Sequence, residues 1–258
     1  MALLEVDNLR RSFGGLTAVN GVSFKVARGH IKAIIGPNGA GKTTVFNLVS
    51  GLLPPDAGSL RYDGRTITGL KPYRIARLGI SRTFQTPSLF MQMTVLENVM
   101  VGRHARTRRG IWASALRLPG QPREERAIRA AALERLQYVG LADVADWPVS
   151  ALSFGRRRMT ELARALATDP QLLMLDEPAS GLNTKETEDL AALICRIRDG
   201  GVTLLLVEHD MSLVMDISDD ILVLNYGTTL AEGPPSIVRN DPRVVEVYLG
   251  GQIDRAAR

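Results

Sequence analysis

Ile31-Lys32-Ala33-Ile34-Ile35-Gly36-Pro37-Asn38-Gly39-Ala40-Gly41-Lys42-Thr43 decides how this chain is read. A short strand-like run enters a loop with three glycines, and helical spacing takes over from Lys42 to Gly51. Gly36 to Thr43 fits G-x-x-x-x-G-K-[ST], and each residue type has a reason. The glycines let backbone N–H groups turn inward around phosphate oxygens with no Cβ in the way. A helix starting near Gly41 points the positive end of its dipole at the same anion. Lys42 brings a point charge to the β- and γ-phosphates, and Thr43 offers a hydroxyl to Mg²⁺. Placed between a strand and a helix, the loop implies a nucleoside-triphosphate site.

Upstream, Leu3–Leu9 and Val19–Val26 alternate apolar and polar residues and are punctuated by Gly14-Gly15 and Gly29, the pattern of strands. Downstream, helical spacing is expected over 124–139, 155–168 and 184–198. Buried strands are expected at Leu172–Leu175, Val202–Val207 and Ile221–Leu224. Strands alternating with helices imply an α/β fold with a mostly parallel sheet covered on both faces. The stretch from Gln85 to Arg129 is less regular, broken by Pro87, Pro119 and Pro122, and reads as a helical insertion.

The run Leu172–Leu175 ends in Asp176-Glu177-Pro178. A strand tip beside a phosphate loop is where an Asp can hold a Mg²⁺ shell and a Glu can polarise a water.

With these two motifs in place the chain resembles the ATP-binding cassette (ABC) ATPases over nearly its whole length. Leu152-Ser153-Phe154-Gly155-Arg156 resembles the family signature, usually L-S-G-G-Q. Gln85 in Arg82-Thr83-Phe84-Gln85 matches the glutamine loop, Ser180-Gly181-Leu182-Asn183 the loop after the acidic strand, and His209 the switch histidine. The resemblance implies a P-loop NTPase fold: a RecA-like core with an antiparallel β subdomain (1–85 and 165–258) and a helical subdomain (86–164), together one domain over 1–258. It implies ATP and Mg²⁺ as ligands. ATP would lie on Phe13, Gly36, Asn38, Gly39, Gly41, Lys42, Thr43 and Thr44, with Ser153 and Gly155 reaching the γ-phosphate of a paired second cassette. Glu177 is expected to activate water, assisted by His209, Lys42 and Gln85, and Thr43, Gln85 and Asp176 to serve the metal, Asp176 through water. Arg156 stands where the signature usually has Gln, with Arg157 and Arg158 behind it, and Asn183 replaces the commoner Asp.

Composition and finer likeness narrow the role. The 258 residues are 45% hydrophobic and 23% charged, unlike a disordered or collagen-like chain, and a single Cys195 fits a reducing compartment. No apolar run approaches the roughly 18–20 residues of a membrane-spanning helix, and the N-terminus is unlike a secretory signal. Residues 101–130 hold eight Arg, two Glu and no Lys; this local +6 exceeds the whole chain's +5. The excess reads as a solvated face, a nucleic-acid patch, or a surface meeting anionic lipid or a partner's loops. A single cassette without heptads or fused membrane spans points to a stand-alone subunit, peripheral on the cytoplasmic face of the membrane. Its expected partners are integral-membrane permeases and a second cassette, with a periplasmic or extracellular solute-binding protein served indirectly and no specific nucleic acid. Phe13-Gly14-Gly15-Leu16-Thr17-Ala18-Val19, the Arg82–Gln85 stretch and the Asp241…Gly250 ending are similar to the longer ATPase subunit of branched-chain amino-acid importers. Relatives for urea, short amides or lipopolysaccharide are the alternatives, as is a soluble module on nucleic acid or ribosome. Met91 and Met93 read as packing residues and Trp147 as an anchoring aromatic.

Overall fold

A computed structural model describes residues 1–85, 88–104 and 121–248. Strands β1 (Ala2–Phe13) and β2 (Leu16–Ala27) form a hairpin turning at Gly14-Gly15. After β3 (Ile31–Ile35) and helix α1 (Lys42–Val49) come β4 (Ala57–Tyr62) and β5 (Arg65–Thr66). The order β2-β1-β4-β5 makes an antiparallel sheet, whose Val6, Leu9, Val22, Phe24, Val26 and Leu60 bury the alternating face seen in the sequence.

The chain continues through α2 (Pro72–Arg77), β6 (Ile80–Arg82), α3 (Val95–His104), α4 (Gln121–Tyr138), α5 (Phe154–Leu166), β7 (Leu172–Asp176), α6 (Thr184–Asp199) and β8 (Thr203–Val207). It closes with α7 (Met211–Ile217), β9 (Asp220–Asn225), β10 (Thr228–Gly233) and α8 (Pro235–Val238). The second sheet has the order β10-β9-β3-β8-β7-β6 and is parallel throughout except for the β9–β10 hairpin. Strands β3, β7 and β8 are buried on both faces, which is why they read as apolar runs rather than alternations. Lys32, in the middle of β3, is 1% exposed; it pairs with Asp220 and Glu232 and lies 5.8 Å from the Phe24 ring centre.

The antiparallel sheet is the β subdomain that the family resemblance implies, built on the two alternating runs of the sequence. The irregular stretch after Gln85 contains an ordered helix, α3, that packs with α4 and α5 around Val95, Leu96, Val99, Ala132, Leu136 and Leu162. Its start is a capping box: Glu97 N donates to Thr94 Oγ1 (3.1 Å), and Thr94 N donates to Glu97 Oε2 (2.8 Å). Cys195 packs against the same core. Trp147 is 51% exposed and Met91 and Met93 are 37% and 39% exposed, so their expected packing roles are corrected: they face outward. Of the Arg-rich stretch 101–130, Arg106, Arg108, Arg109 and Arg117 lie outside the described residues, whereas Arg103 turns back to pair with Asp169.

Candidate functional site

Register places the motifs. Ile34 pairs with Val207, Val207 with Asp176, and Met174 with Arg82, so the carboxyl ends of the four adjacent strands β3, β8, β7 and β6 line up along one edge. The phosphate loop leaves β3, His209 follows β8, Asp176 and Glu177 end β7, and Gln85 follows β6. Ligands of open parallel sheets bind at this edge.

In the loop, Gly36 (φ +150°) and Gly41 (φ +100°) cannot carry side chains: a Cβ on Gly36 would lie 2.2 Å from Leu224 O, and one on Gly41 2.5 Å from Ala18 O. The second contact also shows that the β1–β2 hairpin abuts the start of α1. Phe13, near the tip of that hairpin, is half-exposed, with the Arg11 guanidinium 5.1 Å from its ring centre. Asn38, Gly39 and Thr43 are exposed on the loop and Thr44 is half-buried. Lys42 is buried and donates to Gly36 O (2.7 Å) and Pro37 O (2.9 Å), so its ammonium is folded back into the loop. Burial pushes its pKa below the usual lysine value, while the charges of Glu177 and Asp176 pull it back up.

Glu177 is the meeting point. Gln85 Nε2 donates to Glu177 Oε2 (2.8 Å), and His209 Nε2 lies 2.7 Å from Glu177 Oε1. An ionised Glu177 can only accept here, which calls for the His209 tautomer carrying its proton on Nε2. The Glu177 backbone is left-handed (φ +48°), held by its N–H to Val207 O and by Ser180 N donating to its carbonyl. Next to it, Asp176 Oδ2 accepts from Arg82 Nη2 at 2.7 Å, a pair with side chains only 5% and 8% exposed. Arg82 is further held by Asn47 Oδ1 and Ser50 Oγ of the α1 region and lies between the Phe46 and Phe84 rings.

Two groups in this assembly escaped the sequence reading. Arg82, three residues before Gln85, carries no sequence signal of its buried pair with Asp176. Glu208 precedes His209, is 3% exposed, and accepts from Ala179 N (2.7 Å) and His209 N (2.9 Å), tying the loop after β7 to the one after β8. Burial raises its pKa against the pull of those N–H donors. No signal in a single sequence distinguishes it from a solvated carboxylate, because its partner at 179 is fixed only by the sheet.

The signature residues sit elsewhere, at the start of α5. Ser153 is the N-cap, its Oγ accepting from Arg156 N at 3.4 Å, and is exposed. Gly155 is buried, and a Cβ there would meet Glu186 Oε1 at 2.4 Å. Nothing brings Ser153 and Gly155 to this subunit's own phosphate loop. Arg156 turns to Asp143 (3.5 Å) and Arg157 to Ser150 O, whereas Arg158 points inward. Asn183 caps α6 through a reciprocal capping box with Glu186, a task Asn and Asp perform equally well.

Thr43, Gln85 and Asp176 carry a hydroxyl, an amide and a carboxylate oxygen, the donor types a hard cation takes; Arg82 holds one oxygen of Asp176, and among the described residues no group of three or more His, Cys, Asp or Glu is arranged to hold a metal ion by itself. Mg²⁺ takes such partial sets when phosphate oxygens complete its shell.

Comparison with known proteins identifies the family and the fold. Residues 19–180 match the ABC transporter family and residues 228–254 the branched-chain amino acid ATP-binding cassette transporter family. The chain is 47% identical over 249 residues to a high-affinity branched-chain amino acid transport ATP-binding protein, BraF, of Pseudomonas aeruginosa, covering 96% of this chain and 98% of that one. Its structure resembles that of an ABC transporter ATP-binding cassette in the ADP conformation, with a TM-score of 0.85, 33% identity, and coverage of 97% and 99%. It also resembles a bacterial ABC transporter cassette solved as a dimer, with a TM-score of 0.77, 25% identity, and coverage of 90% and 98%.

Proposed function

The chain belongs to the ABC transporter family of ATP-binding cassettes, and from that premise we propose that it hydrolyses ATP to drive an importer of branched-chain or other hydrophobic amino acids. The observation that carries the ATPase chemistry is the convergence of Gln85 and His209 on Glu177, beside a glycine-lined phosphate loop. The solute class is supported by the likeness to BraF and by the match of residues 228–254.

In this reading the phosphate loop and Lys42 cradle the β- and γ-phosphates, and Phe13 stacks on the base. Thr43, Gln85 and Asp176 hold Mg²⁺, which supplies charge compensation on the phosphate oxygens. Glu177 takes the proton of the attacking water, a role worth about 10²–10⁴-fold in rate. Each Glu177 oxygen takes part in one such contact, Oε2 with Gln85 and Oε1 with His209, and each keeps a second lone pair for the water's proton. His209 then orients the water, and α5 brings Ser153 and the Gly155 amide to the γ-phosphate on a second cassette. The similar dimeric cassette supports that pairing.

No helix among the described residues is long and apolar enough to cross a membrane, and in this reading permease subunits carry the solute. Phe84, Phe90, Met91, Met93 and Trp147 are all exposed, and residues 91–95 run against 147–150 through backbone bonds. An apolar surface of this kind beside the glutamine loop supports permease docking, and in this reading the subunit works on the cytoplasmic face.

The test is affinity recovery of tagged Glu177→Gln protein from detergent-solubilised membranes in ATP. Two multi-span proteins and a second cassette are the expected companions. Ribosomal proteins or nucleic acid in their place would overturn the transport reading and leave the ATPase chemistry standing.

A further inference from the structure

Helix α5 carries three charges on its inward side that the mechanism above does not use. Arg158 is 4% exposed and Glu161 2% exposed, a cost that folding does not incur without return. The Arg158 fork is spread across two separate segments. Nη1 donates to Phe84 O (2.8 Å), and Nη2 donates both to Gln85 O and to Glu177 O (3.2 Å). Glu161 serves the same loop: its Oε2 accepts from Arg158 Nη1 (3.3 Å) and its Oε1 from Phe84 N (3.2 Å). One turn on, Arg164 Nη1 donates to Ser88 O (2.7 Å). The backbone of the glutamine loop is thus gripped at residues 84, 85 and 88 by one face of the signature helix.

The Glu177 carbonyl is the telling partner. A non-glycine residue at φ +48° is strained and persists only where its surroundings over-determine it. Val207 O and Ser180 N fix that peptide from the β8 and β7 sides, and Arg158 completes the set from the helical side. An apolar residue at 158 could fill the volume. Only a planar five-donor fork can bind carbonyls of residues 84, 85 and 177 together.

We propose that Arg158 is a positioning residue for hydrolysis: its guanidinium, backed by Glu161, ties the Glu177 backbone to the Gln85 backbone and so sets the water-activating carboxylate against the glutamine side chain. The proposal rests on Glu177 acting as the base.

The experiment compares Arg158→Met, Arg158→Lys, Gln85→Ala and the Arg158→Met/Gln85→Ala pair with wild type and Glu177→Gln. ATP binding is read by a fluorescent ATP analogue, and turnover by phosphate release. Arg158→Met is expected to keep ATP affinity within about 3-fold while kcat falls at least about 10-fold. Arg158→Lys should recover only part of kcat, since a single ammonium cannot span the two segments. The double variant should turn over within about 2-fold of Gln85→Ala, because the two changes act on one geometry. Wild-type kcat in Arg158→Lys, or fully multiplicative losses in the pair, overturns the clamp. If Arg158→Met does not fold, Arg158→Lys decides alone: reduced kcat with unchanged binding supports the clamp. Should Glu177→Gln turn over like wild type, the base assignment fails instead, a result distinct from an inert Arg158.

Discussion

Replacing Arg82 by Met tests whether the buried pair under the phosphate loop is structural. The guanidinium meets Asp176 Oδ2 at 2.7 Å, Asn47 Oδ1 at 2.7 Å and Ser50 Oγ at 2.9 Å, between rings centred 5.5 and 5.3 Å away. Removing it leaves Asp176, 5% exposed, without its counter-charge, and stranding one member of a buried pair costs about 3–5 kcal/mol. Ser50 keeps its bond to Phe46 O (2.8 Å), so its share is small. The lost ring contacts add about 0.5–1 kcal/mol each, and the Met side chain restores part of the packing. A net loss of about 4 kcal/mol is expected, a large fraction of the roughly 5–15 kcal/mol that holds a domain folded. Urea unfolding followed by circular dichroism without nucleotide measures it, so that ligand linkage adds nothing. Arg82→Met/Asp176→Asn should recover much of the loss, with a coupling energy of at least about 1.5 kcal/mol. A loss under about 1 kcal/mol in the single variant, or strict additivity in the pair, refutes the reasoning.

Two other perturbations follow from the geometry. Gly41→Ala puts a methyl 2.5 Å from Ala18 O at φ +100°, so the loop must shift; nucleotide affinity should drop at least about 10-fold with the fold intact, checked by analogue binding beside circular dichroism. Asp169 accepts from Arg135 (3.0 Å) and pairs with Arg103, joining α4 and α3 to the turn before β7. Burial opposes ionisation of Asp169, but the two arginines outweigh it and hold the carboxyl below the usual aspartate value. A depressed folded-state pKa stabilises above the ordinary value of 3.8 and loses that contribution as pH falls through the folded value. Asp169→Asn should therefore destabilise at neutral pH, by under about 1 kcal/mol given solvent screening, and the difference from wild type should vanish in urea melts below that range. Glu161 and Glu208, whose burial raises their pKa, act with the opposite sign: their share is greatest below the ordinary 4.5 and declines as pH rises.

The parts legible in the sequence share one property: their physical demand is local. A phosphate loop needs glycines and a lysine at set spacing. A strand covered on both faces needs an unbroken apolar run, as in β7 and β8. Turns and caps carry local signals of the same kind. Asp63-Gly64 is a two-residue hairpin turn with both φ positive, joining β4 to β5, and Thr94 with Glu97 is a capping box at the head of α3. Others carry no local signal. Strand β6 has three residues, too few for a period, and β10 is half-exposed Thr-Thr-Leu-Ala-Glu-Gly. The buried charges are the hardest case. Lys32 finds Asp220 and Glu232 almost two hundred residues away, and Arg158 finds carbonyls on either side of the helical insertion. A lone sequence shows only that these residues are charged, and charge ordinarily means surface.

That blind spot falls where the helical insertion meets the catalytic edge. Ser153 caps α5 at the end assigned to a second subunit's phosphate, while five residues on Arg158 holds this subunit's Gln85 and Glu177 backbones. A helix of thirteen residues transmits displacement along its axis because its own backbone bonds resist compression. Movement of its N-terminus toward a partner's γ-phosphate would therefore reach Glu177 with little loss. The exposed Phe90–Met93 segment hangs from the same unit, through backbone bonds from Val149 and Ser150 just before α5. A permease pressing there and a nucleotide binding across the dimer would act on one rigid element. The Arg158 variants separate the two routes: cutting the fork should abolish any permease stimulation of kcat while leaving ATP-driven pairing of Glu177→Gln subunits intact.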